Sequence, residues 1–465
     1  MPTFTKVSDA LAGRLEAVVG AAYVVTGGPD LEPFTHDETE DLRATPEVAV
    51  RPRTAEEVAA VLALAWEAGV PVTPRGGGTG LSGGALPLFG GVALSLDRMD
   101  SIVEIDEANL ACVVEPGVIT KVVHDAVAER GLYYPPDPAS YGSCTIGGNI
   151  AENAGGPHCV KYGLTRDYVL ALQASTPDGR LFRTGGKLRK DVAGYDLAQL
   201  LVGSEGTLAV VTEATLKLVP LPAHRRLVVA PFTDLDAAAR GMVALVKARI
   251  LPAALEVLGR SALEAAAQHL GRPVPFAASE AAILLETDGN DARALDDEVE
   301  RIGEILLQAQ ALDVVLADSP AKERELWEVR RCLGEAVKKK GLHVECDAAV
   351  PPASVPALFA AAAEVAAAHG VEEISYGHAG DGNVHVNLIA TGLERDEGMR
   401  RLHAAADEVF QRAVALGGTI TGEHGVGCAK RDWLPLCRDE VALDLMRAVK
   451  RALDPKGLLN PGKVL

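Results

Sequence analysis

The stretch that decides the fold is PRGGGTGLSGG, residues 74–84, which follows a short apolar segment at 70–73. It fits the dinucleotide fingerprint, Gly78-x-Gly80-x-x-Gly83, and Asp97 supplies the later acidic residue of that fingerprint. A Rossmann loop opens a helix, however. Residues 82–91 contain four glycines and a proline, and no crossover helix fits there. The sequence therefore predicts a loop that joins two strands. Because its glycines have no side chains, its backbone N–H groups can come close to a pyrophosphate and form an anion-binding nest.

The neighbouring segments agree with this interpretation. Residues 49–53 read as a strand, and Thr54 with Glu57 has the pattern of a capping box before a helix that ends at Gly69. Two more glycine-rich stretches lie at 145–156 and 203–207. A lone glycine-rich loop is more typical of an ordinary turn. Three in one half of the chain favour nucleotide binding.

Composition limits the class of protein. A length of 465 residues predicts two or three domains, and 48% hydrophobic with 23% charged residues is ordinary for a globular protein. The net charge of -19 disfavours nucleic acid and anionic lipid as bulk partners. The seven cysteines are scattered without a Cys-x-x-Cys pair, which predicts a reducing compartment and disfavours an iron–sulfur cluster or a Cys-rich zinc site.

Targeting segments are not evident in the sequence. The N-terminus lacks a charged region followed by an apolar stretch, and no run approaches the roughly 20 apolar residues of a membrane span. We expect a cytoplasmic protein without a transmembrane segment. The sequence pattern changes around Pro220 and Pro222. After these residues, Ala-rich helical patterns alternate with short apolar strands such as 281–287 and 312–317. We place a domain boundary there.

The C-terminal half carries a candidate metal site. Residues 374–378 and 383–387 have the alternation of two strands joined by a hairpin turn. If His378 pairs with Asn383, then His378, His385 and Asn387 share one face, because strand side chains alternate with period two. With the carboxylate of Glu423 in a second glycine-flanked motif, these imidazoles form the donor set of a divalent metal site with open positions.

Together these motifs resemble a known family. In chain order they are PRGGGTGLSGGA (74–85), PPDPASYGSCTIGGNIAENAGG (135–156), VGSEGTLAVVTEATLKL (202–218), GHAGDGNVHVN (377–387), GEHGVG (422–427) and LDPKGLLNPGK (453–463). From about Thr35 to Leu465 the chain resembles the FAD-linked 2-hydroxy-acid dehydrogenases. This group contains the glycolate oxidase flavin subunit, D-lactate dehydrogenase and D-2-hydroxyglutarate dehydrogenase. It lies within the vanillyl-alcohol-oxidase and p-cresol-methylhydroxylase (PCMH) superfamily.

The resemblance implies an α+β fold with two domains. The first, residues 1–222, would be a PCMH-type FAD-binding domain in two subdomains. The second, residues 223–465, would be a cap domain with an antiparallel sheet flanked by helices, and about the last 30 residues would pack back on the FAD domain.

The resemblance also implies which residues bind FAD. Those expected to wrap the pyrophosphate are Pro74, Arg75, Gly76, Gly77, Gly78, Thr79, Gly80, Ser82 and Gly83. Those expected to line the rest of the cofactor are Pro138, Ser140, Thr145, Gly148, Asn149, Ala151, Asn153, Gly155, Glu205, Gly206 and Asn460. Superfamily members that attach FAD covalently often carry His in the first loop. Thr79 follows the three glycines here, so we expect non-covalent FAD.

In agreement with the pattern of donors, the resemblance implies that His378, His385 and Glu423 bind zinc, manganese or iron(II). His424 is the candidate base for the substrate hydroxyl, with a merely orienting role near the metal as the alternative. Asn387 would bond the substrate or orient metal-bound oxygens.

The substrate residues narrow the choice of hydroxy acid. Arg330 matches a family arginine that binds substrate carboxylate, and the alternative is an exposed helix residue. In the D-2-hydroxyglutarate branch two further residues contact substrate, and Gly334 and Glu345 stand at those positions. These departures favour a smaller acid, D-lactate or glycolate.

The reduced flavin needs an external electron acceptor, because the sequence shows no haem or cluster motif. Candidates are a quinone, a cytochrome, an electron-transfer flavoprotein, an iron–sulfur subunit or oxygen, and a partner could hold the protein at a membrane. A homodimer is compatible with the sequence. Two other functions stay open, a metal-free flavin oxidase of sugar acids or lactones and a non-catalytic FAD-binding scaffold subunit. The metal donors and His424 argue against both.

Overall fold

The computed structural model describes residues 4–465. The α-helices are α1 (Asp9–Val19), α2 (Ala55–Ala68), α3 (Thr120–Ala128), α4 (Ile146–Glu152), α5 (Cys159–Tyr162), α6 (Leu197–Leu201), α7 (Leu235–Lys247), α8 (Arg260–Leu270), α9 (Ala292–Gln308), α10 (Pro320–Arg331), α11 (Leu333–Lys338), α12 (Val355–His369), α13 (Arg395–Ala415), α14 (Leu434–Cys437) and α15 (Glu440–Leu453). Short 3-10 helices cover Ala21–Tyr23, Pro29–Phe34, Thr165–Tyr168, Pro352–Ser354 and Arg431–Trp433.

The strands are β1 (Val24–Val25), β2 (Val48–Val50), β3 (Val72–Arg75), β4 (Val92–Ser95), β5 (Ile102–Asp106), β6 (Ala111–Val114), β7 (Leu132–Tyr133), β8 (Val169–Ser175), β9 (Leu181–Gly185), β10 (Val210–Lys217), β11 (Val219–Pro220), β12 (His224–Phe232), β13 (Ala254–Gly259), β14 (Ala281–Gly289), β15 (Val315–Leu316), β16 (Leu342–Ala349), β17 (Glu372–His378) and β18 (Asn383–Ala390). Across residues 4–465, no helix has both the length and the apolar character that crossing a membrane requires.

The chain divides into two compact units. The first comprises the residues up to Gly155, Leu164–Leu221 and His424–Leu465, and the second comprises Gly156–Gly163 and Pro222–Glu423. The chain therefore enters the second unit briefly at 156–163 and returns to the first unit after Glu423.

The first unit contains a four-stranded sheet in the order β1-β2-β4-β3, in which β4 runs parallel to both β2 and β3. The other sheets of this unit are a five-stranded antiparallel sheet, β5-β6-β10-β8-β9, and the pair β11-β7. Helices α1 and α2 supply Leu15, Val58 and Leu62 to an apolar core that also contains Val92 and Leu94 of β4.

The predicted helix after Thr54 is confirmed. The Thr54 hydroxyl accepts a hydrogen bond from the Glu57 backbone N–H at 3.2 Å, and the Glu57 carboxylate accepts one from the N–H of Arg53 at 2.6 Å. Gly69 ends the helix in a left-handed conformation with φ of 69°. The predicted absence of a crossover helix after the first glycine-rich stretch is also confirmed, because residues 76–91 join β3 to β4 without one.

The second unit is built on a seven-stranded antiparallel sheet in the order β15-β12-β14-β13-β17-β18-β16. One face packs against α8, α10 and α11 through a cluster that includes Leu258, Leu284, Tyr376, Trp327 and Leu333. Helices α7, α9, α12 and α13 lie against the other face. The predicted strand at 281–287 is longer than expected, and the one at 312–317 is reduced to two residues on the edge of the sheet.

The predicted hairpin is confirmed in its register. His378 pairs with Asn383, Tyr376 pairs with His385, and Ile374 pairs with Asn387. Directly opposed residues in an antiparallel pair share a face. The two histidines and Asn387 therefore lie on the same face of the sheet.

Candidate metal centre and flavin-binding loops

The two histidines of the hairpin lie side by side in the interior of the second unit. His378 is 5% and His385 is 4% exposed, and their ring centroids are 5.3 Å apart at an interplanar angle of 85°. The two candidate ligands of the hairpin thus lie next to each other on one face of the sheet.

Glu423 completes this pair from a loop that follows the β-bridge between Ala349 and Thr419. Its Oε1 atom lies 3.2 Å from Nε2 of His378 and 3.4 Å from Nε2 of His385. One ligand atom from each of the three residues lies within 4.8 Å of the others. Two imidazole nitrogens and one carboxylate oxygen on one side of a site suit zinc, iron(II) or manganese with positions open for substrate. The three residues predicted as ligands thus have the geometry and chemistry of a divalent metal site.

Each imidazole has a carboxylate behind it, on the nitrogen away from Glu423. Nδ1 of His378 donates a hydrogen bond to Oε1 of Glu256 at 2.6 Å, and Nδ1 of His385 lies 3.2 Å from Oε1 of Glu345. The hydrogen bond to Glu256 favours the tautomer of His378 that keeps its proton on Nδ1 and leaves the Nε2 lone pair for a metal.

Glu256 is a residue that the sequence reasoning missed. It lies in the middle of ALEVLG (254–259), a strand that is otherwise apolar, and it is fully buried. A lone carboxylate in such a strand was the signal that could have found it, because charged groups are rarely buried without a partner.

The charges of Glu256 and His378 depend on each other. Burial raises the pKa of Glu256, but the adjacent His378 and Arg330 outweigh it and lower the pKa to about 2. Burial lowers the pKa of His378, while the carboxylates of Glu256 and Glu423 raise it well above its usual range. The raised pKa of His378 reflects the negative charge that Glu256 and Glu423 place around its ring.

Arg330 is buried rather than exposed on its helix. It is 7% exposed, its Nε donates a hydrogen bond to Oε2 of Glu256, and its guanidinium lies 4.8 Å from the ring centroid of Tyr376. The alternative expectation, an exposed helix residue, is wrong. One carboxylate thus contacts both a candidate metal ligand and the candidate substrate arginine.

Asn387 and His424 differ in their surroundings. Asn387 is 2% exposed, and its Nδ2 donates to the backbone oxygen of Ile374 at 3.2 Å. Its amide therefore also ties β18 to β17. His424 directly follows Glu423, is half-buried, and begins the segment that returns to the first unit.

In the first unit, the glycine-rich stretches contact one another. A Cβ on Gly76 would lie 2.5 Å from the Thr145 hydroxyl oxygen, and one on Gly77 would lie 2.6 Å from the backbone oxygen of Ser143. Glycine is required at both positions because any side chain would collide with the second stretch. Thr145 in turn caps α4 by accepting from the N–H of Gly148 at 3.3 Å.

The third glycine-rich stretch and the C-terminal segment are also hydrogen-bonded to these loops of the first unit. The Asn460 Nδ2 donates to the backbone oxygens of Gly84, at 3.0 Å, and of Glu205, at 2.8 Å. The Glu205 carboxylate accepts from the backbone N–H groups of Val426 at 2.7 Å and Gly427 at 2.6 Å. Of the other predicted FAD residues, Gly206 lies against Pro74, and the backbone oxygen of Ala151 accepts from the N–H of Glu205.

The remaining predicted FAD residues lie in the same unit. Asn149 donates from Nδ2 to the Thr120 hydroxyl at 2.8 Å, and Asn153 ends α4 with φ of 55°. The others lie in loops of this unit: Gly78, Thr79, Gly80 and Gly83 after β3, Pro138 and Ser140 after β7, and Gly155 after α4.

Unsatisfied polar atoms in these loops fit an anionic cofactor. The Nη1 atom of Arg75, the hydroxyl of Ser82 and the Oδ1 atom of Asn460 are buried without a hydrogen-bond partner among residues 4–465. Burial lowers the pKa of Arg75, and the negative charge of Asp37 offsets part of this effect. Buried polar atoms without partners are costly unless a ligand satisfies them, and of these three atoms Arg75 Nη1 and the Ser82 hydroxyl can donate to an anion, whereas Asn460 Oδ1 can only accept. The loops therefore suit a phosphate-bearing cofactor.

Comparison with solved structures defines the class of fold. The chain superposes on p-cresol methylhydroxylase with a TM-score of 0.82 at 17% identity, covering 98% of this chain and 96% of that one. It superposes on 4-ethylphenol oxidase from Gulosibacter chungangensis with a TM-score of 0.79 at 19% identity, covering 100% and 98%. The architecture is thus the α+β, PCMH-type FAD-binding fold with a C-terminal domain, as the sequence predicted.

Sequence comparison identifies the family. Residues 46–185 match the FAD binding domain, and residues 221–464 match the C-terminal domain of FAD linked oxidases. The chain is 41% identical over 432 residues to the glycolate oxidase subunit GlcD of Bacillus subtilis, covering 93% of this chain and 91% of that protein. It is 38% identical to a D-lactate dehydrogenase of Anaerostipes hadrus, covering 95% and 94%, and 33% identical to a D-2-hydroxyglutarate dehydrogenase of Stutzerimonas stutzeri, covering 98% of each. The chain belongs to the FAD-linked oxidase family and is an FAD-dependent oxidoreductase.

Proposed function

We propose that this enzyme oxidises a small (R)-2-hydroxy acid, D-lactate or glycolate, to the 2-oxo acid in a reaction that needs FAD and a divalent metal. The observation that carries the proposal is the convergence of His378 Nε2, His385 Nε2 and Glu423 Oε1, with Arg330 anchored nearby on Glu256. Relatives named glycolate oxidase subunit and D-lactate dehydrogenase support this substrate class.

Oxidation of a 2-hydroxy acid removes a hydride from C2 and a proton from the hydroxyl. FAD, when bound, supplies the hydride acceptor, at flavin N5. His378, His385 and Glu423 would hold the divalent ion, which would supply Lewis-acid chemistry at the substrate hydroxyl.

The protein side chains bind the substrate and move its proton. Arg330 would bind the carboxylate, since a guanidinium fork matches carboxylate geometry. His424 would accept the hydroxyl proton, because an imidazole beside a ligand residue is suited to general-base work near neutral pH. The alternative role for His424 is to orient the groups around Glu423. Asn387 would help to hold the substrate oxygens, from the same face as the histidines.

Glu345 supports a monocarboxylate substrate. Its carboxylate lies 3.2 Å from Nδ1 of His385, on the face of the sheet that carries the ligands. A second carboxylate on a longer substrate would be repelled by this charge at short range. We therefore prefer D-lactate or glycolate to D-2-hydroxyglutarate.

FAD would be held without a covalent bond by the residues of the glycine-rich stretches, and Thr79 offers no evident attachment. Reduced FAD would pass electrons to an external acceptor, a quinone, a cytochrome, an electron-transfer flavoprotein or an iron–sulfur subunit. We place the enzyme in the cytoplasm, with contact to a membrane through a partner as a possible arrangement.

The test is an anaerobic visible spectrum of the FAD-loaded, metal-replete protein during titration with D-lactate, L-lactate, glycolate and D-2-hydroxyglutarate. We expect D-lactate or glycolate to bleach the flavin band, and L-lactate to leave it unchanged. EDTA should abolish bleaching while FAD remains bound. Bleaching that survives complete metal removal would favour the metal-free oxidase, and a yellow protein that no hydroxy acid bleaches would contradict the proposal.

A further inference from the structure

Glu256 occupies a central position in the second unit. It lies on β13, next to β17, and has no exposed surface. Its two oxygens have different partners: Oε1 accepts from Nδ1 of His378 at 2.6 Å, and Oε2 accepts from Nε of Arg330. One carboxylate therefore bridges two side chains that belong to elements far apart in sequence.

We propose that Glu256 is a positioning residue that couples the metal centre to the binding of the substrate carboxylate. It holds the His378 ring with Nε2 towards Glu423, and it holds the Arg330 guanidinium through Nε, which leaves the two terminal nitrogens for the substrate. This inference rests on the proposed function of the site. Glu256 itself touches neither substrate nor metal in this role.

The contacts of Arg330 support this arrangement. Among residues 4–465 its side chain makes no other hydrogen bond, and its guanidinium lies over the face of the Tyr376 ring. Its orientation therefore depends on Glu256 and on stacking. A buried guanidinium that lost this carboxylate would be both uncompensated and free to rotate.

A carboxylate is needed because the bridge requires two acceptors. Each Glu256 oxygen accepts from a different donor, whereas glutamine at this position has one acceptor and one donor group. In Glu256→Gln the single amide oxygen could accept from His378 or from Arg330 but not from both. The NH2 group of the glutamine would then face the N–H group of the residue that is left without an acceptor. The structure thus predicts that one conservative substitution disturbs two functions together.

A simpler role for Glu256 is that of a buried counter-ion for Arg330 alone. In that case metal binding would not depend on it. The short contact of Oε1 with His378 argues for the wider role, because carboxylates behind metal-bound histidines fix the ring and strengthen the ligand.

The test is a double-mutant cycle in the FAD-loaded full-length protein with Glu256→Gln, Arg330→Met and both changes. Metal affinity is measured by competition of zinc or manganese with a graded chelator, and KM and kcat are measured with the hydroxy acid that bleaches the flavin. We expect Glu256→Gln to lower metal affinity about 10- to 100-fold in both backgrounds. It should raise KM when Arg330 is present and have little further effect on KM when Arg330→Met has already removed the guanidinium.

Glu345→Gln is the matched comparison. It removes the carboxylate behind His385, so metal affinity should fall, but its effect on KM should be the same with and without Arg330. Glu256→Asp gives the same test if the glutamine variant folds poorly, because its shorter side chain keeps the charge but cannot span both donors.

Three outcomes separate the alternatives. Unchanged metal affinity in Glu256→Gln would overturn the coupling, and so would a rise in KM that persists at full size in the Arg330→Met background. If the wild-type protein binds metal but oxidises no hydroxy acid, the proposed function fails, while loss of metal affinity in Glu256→Gln would still establish the positioning of His378.

Discussion

The carboxylate of Asp347 accepts a hydrogen bond from the backbone N–H of Glu423 at 3.0 Å. The same oxygen accepts from the N–H of Gly422 at 3.0 Å and from the Thr421 hydroxyl at 2.8 Å, and the other oxygen accepts from Nδ2 of Asn383 at 2.7 Å. Asp347 lies opposite His385 in the β16–β18 pair. One buried carboxylate thus fixes the loop of Glu423, the third candidate ligand, to the hairpin that carries the two candidate histidines.

Asp347→Asn should weaken metal binding without removing a ligand. The amide has one acceptor oxygen for a set of four donors, so the Glu423 loop loses part of its anchoring. We expect about a 10-fold loss of metal affinity, in line with other residues that orient metal ligands. Chelator competition measures it. Asp313→Asn, at an exposed position of the same unit, is the control, and equal metal affinities in the two variants would contradict the role of Asp347.

The turn of the hairpin should tolerate no side chain at Gly382. Its φ of 89° is left-handed, and a Cβ there would lie 1.9 Å from the backbone oxygen of Val350. Gly382→Ala should therefore destabilise the second unit by more than about 1 kcal/mol and displace His378 from Asn383, its cross-strand partner. Thermal unfolding and metal content measure the two effects.

Gly334→Ala is the control for this change, because a Cβ at Gly334 has nothing within 4 Å and its φ is not left-handed. We expect Gly334→Ala to match the wild-type protein. A Gly382→Ala protein with wild-type stability and metal content would show that the turn does not determine the spacing of the histidines.

The sequence predicted those parts of the site that depend on local periodicity. The alternation along 374–378 and 383–387, with a glycine turn between them, was sufficient to place His378, His385 and Asn387 on one face. It could not reveal Glu256, which is 122 residues from His378, because the contact depends on β13 lying next to β17 in the sheet. Strand order is set by packing of the whole unit and has no local signature in the sequence.

The same limit applies to the short segment 156–163. It belongs to the second unit, where the Lys161 Nζ and the Tyr162 hydroxyl both contact the carboxylate of Asp288. These are polar contacts between residues that are more than a hundred positions apart. No hydrophobic periodicity or glycine pattern marks this short segment as part of the second unit. Composition alone therefore predicts a single domain boundary, near Pro220.

Arg330→Met should raise KM for the hydroxy acid far more than it lowers metal affinity. A charge-assisted hydrogen bond contributes roughly 1.5–3 kcal/mol, so we expect KM to rise about 10- to 100-fold. Arg324→Met, at an exposed position on the same helix, should leave KM unchanged. Steady-state kinetics with each variant measures the difference, and an unaltered KM in Arg330→Met would exclude this arginine from carboxylate binding.

Glu152 should make the stability of the first unit depend on pH. A Cβ on Gly425 would lie 2.2 Å from its Oε2 and 3.0 Å from Oε1 of Glu205, so both carboxylates face the same glycine. Burial, followed by repulsion from Glu205 and Asp37, raises the pKa of Glu152 well above its ordinary value. The carboxyl is therefore protonated in the folded protein under conditions in which the unfolded chain has already lost this proton.

The sign of the effect follows from this difference in bound protons. A carboxyl group whose pKa is raised on folding stabilises the protein fully below its unfolded pKa, and this contribution is lost as the pH rises through the folded value. Between the two pKa values each pH unit changes the free energy of unfolding by about 1.4 kcal/mol.

Glu152→Gln imitates the protonated side chain and carries no proton to lose. We therefore expect the Tm of the wild-type protein to fall, relative to that of Glu152→Gln, as the pH is raised from about 5 towards 9. Differential scanning calorimetry of the FAD-loaded proteins across this range measures the difference, with Glu129→Gln at an exposed position as the control. A difference in Tm that stays constant with pH would show that the buried carboxyl does not titrate abnormally.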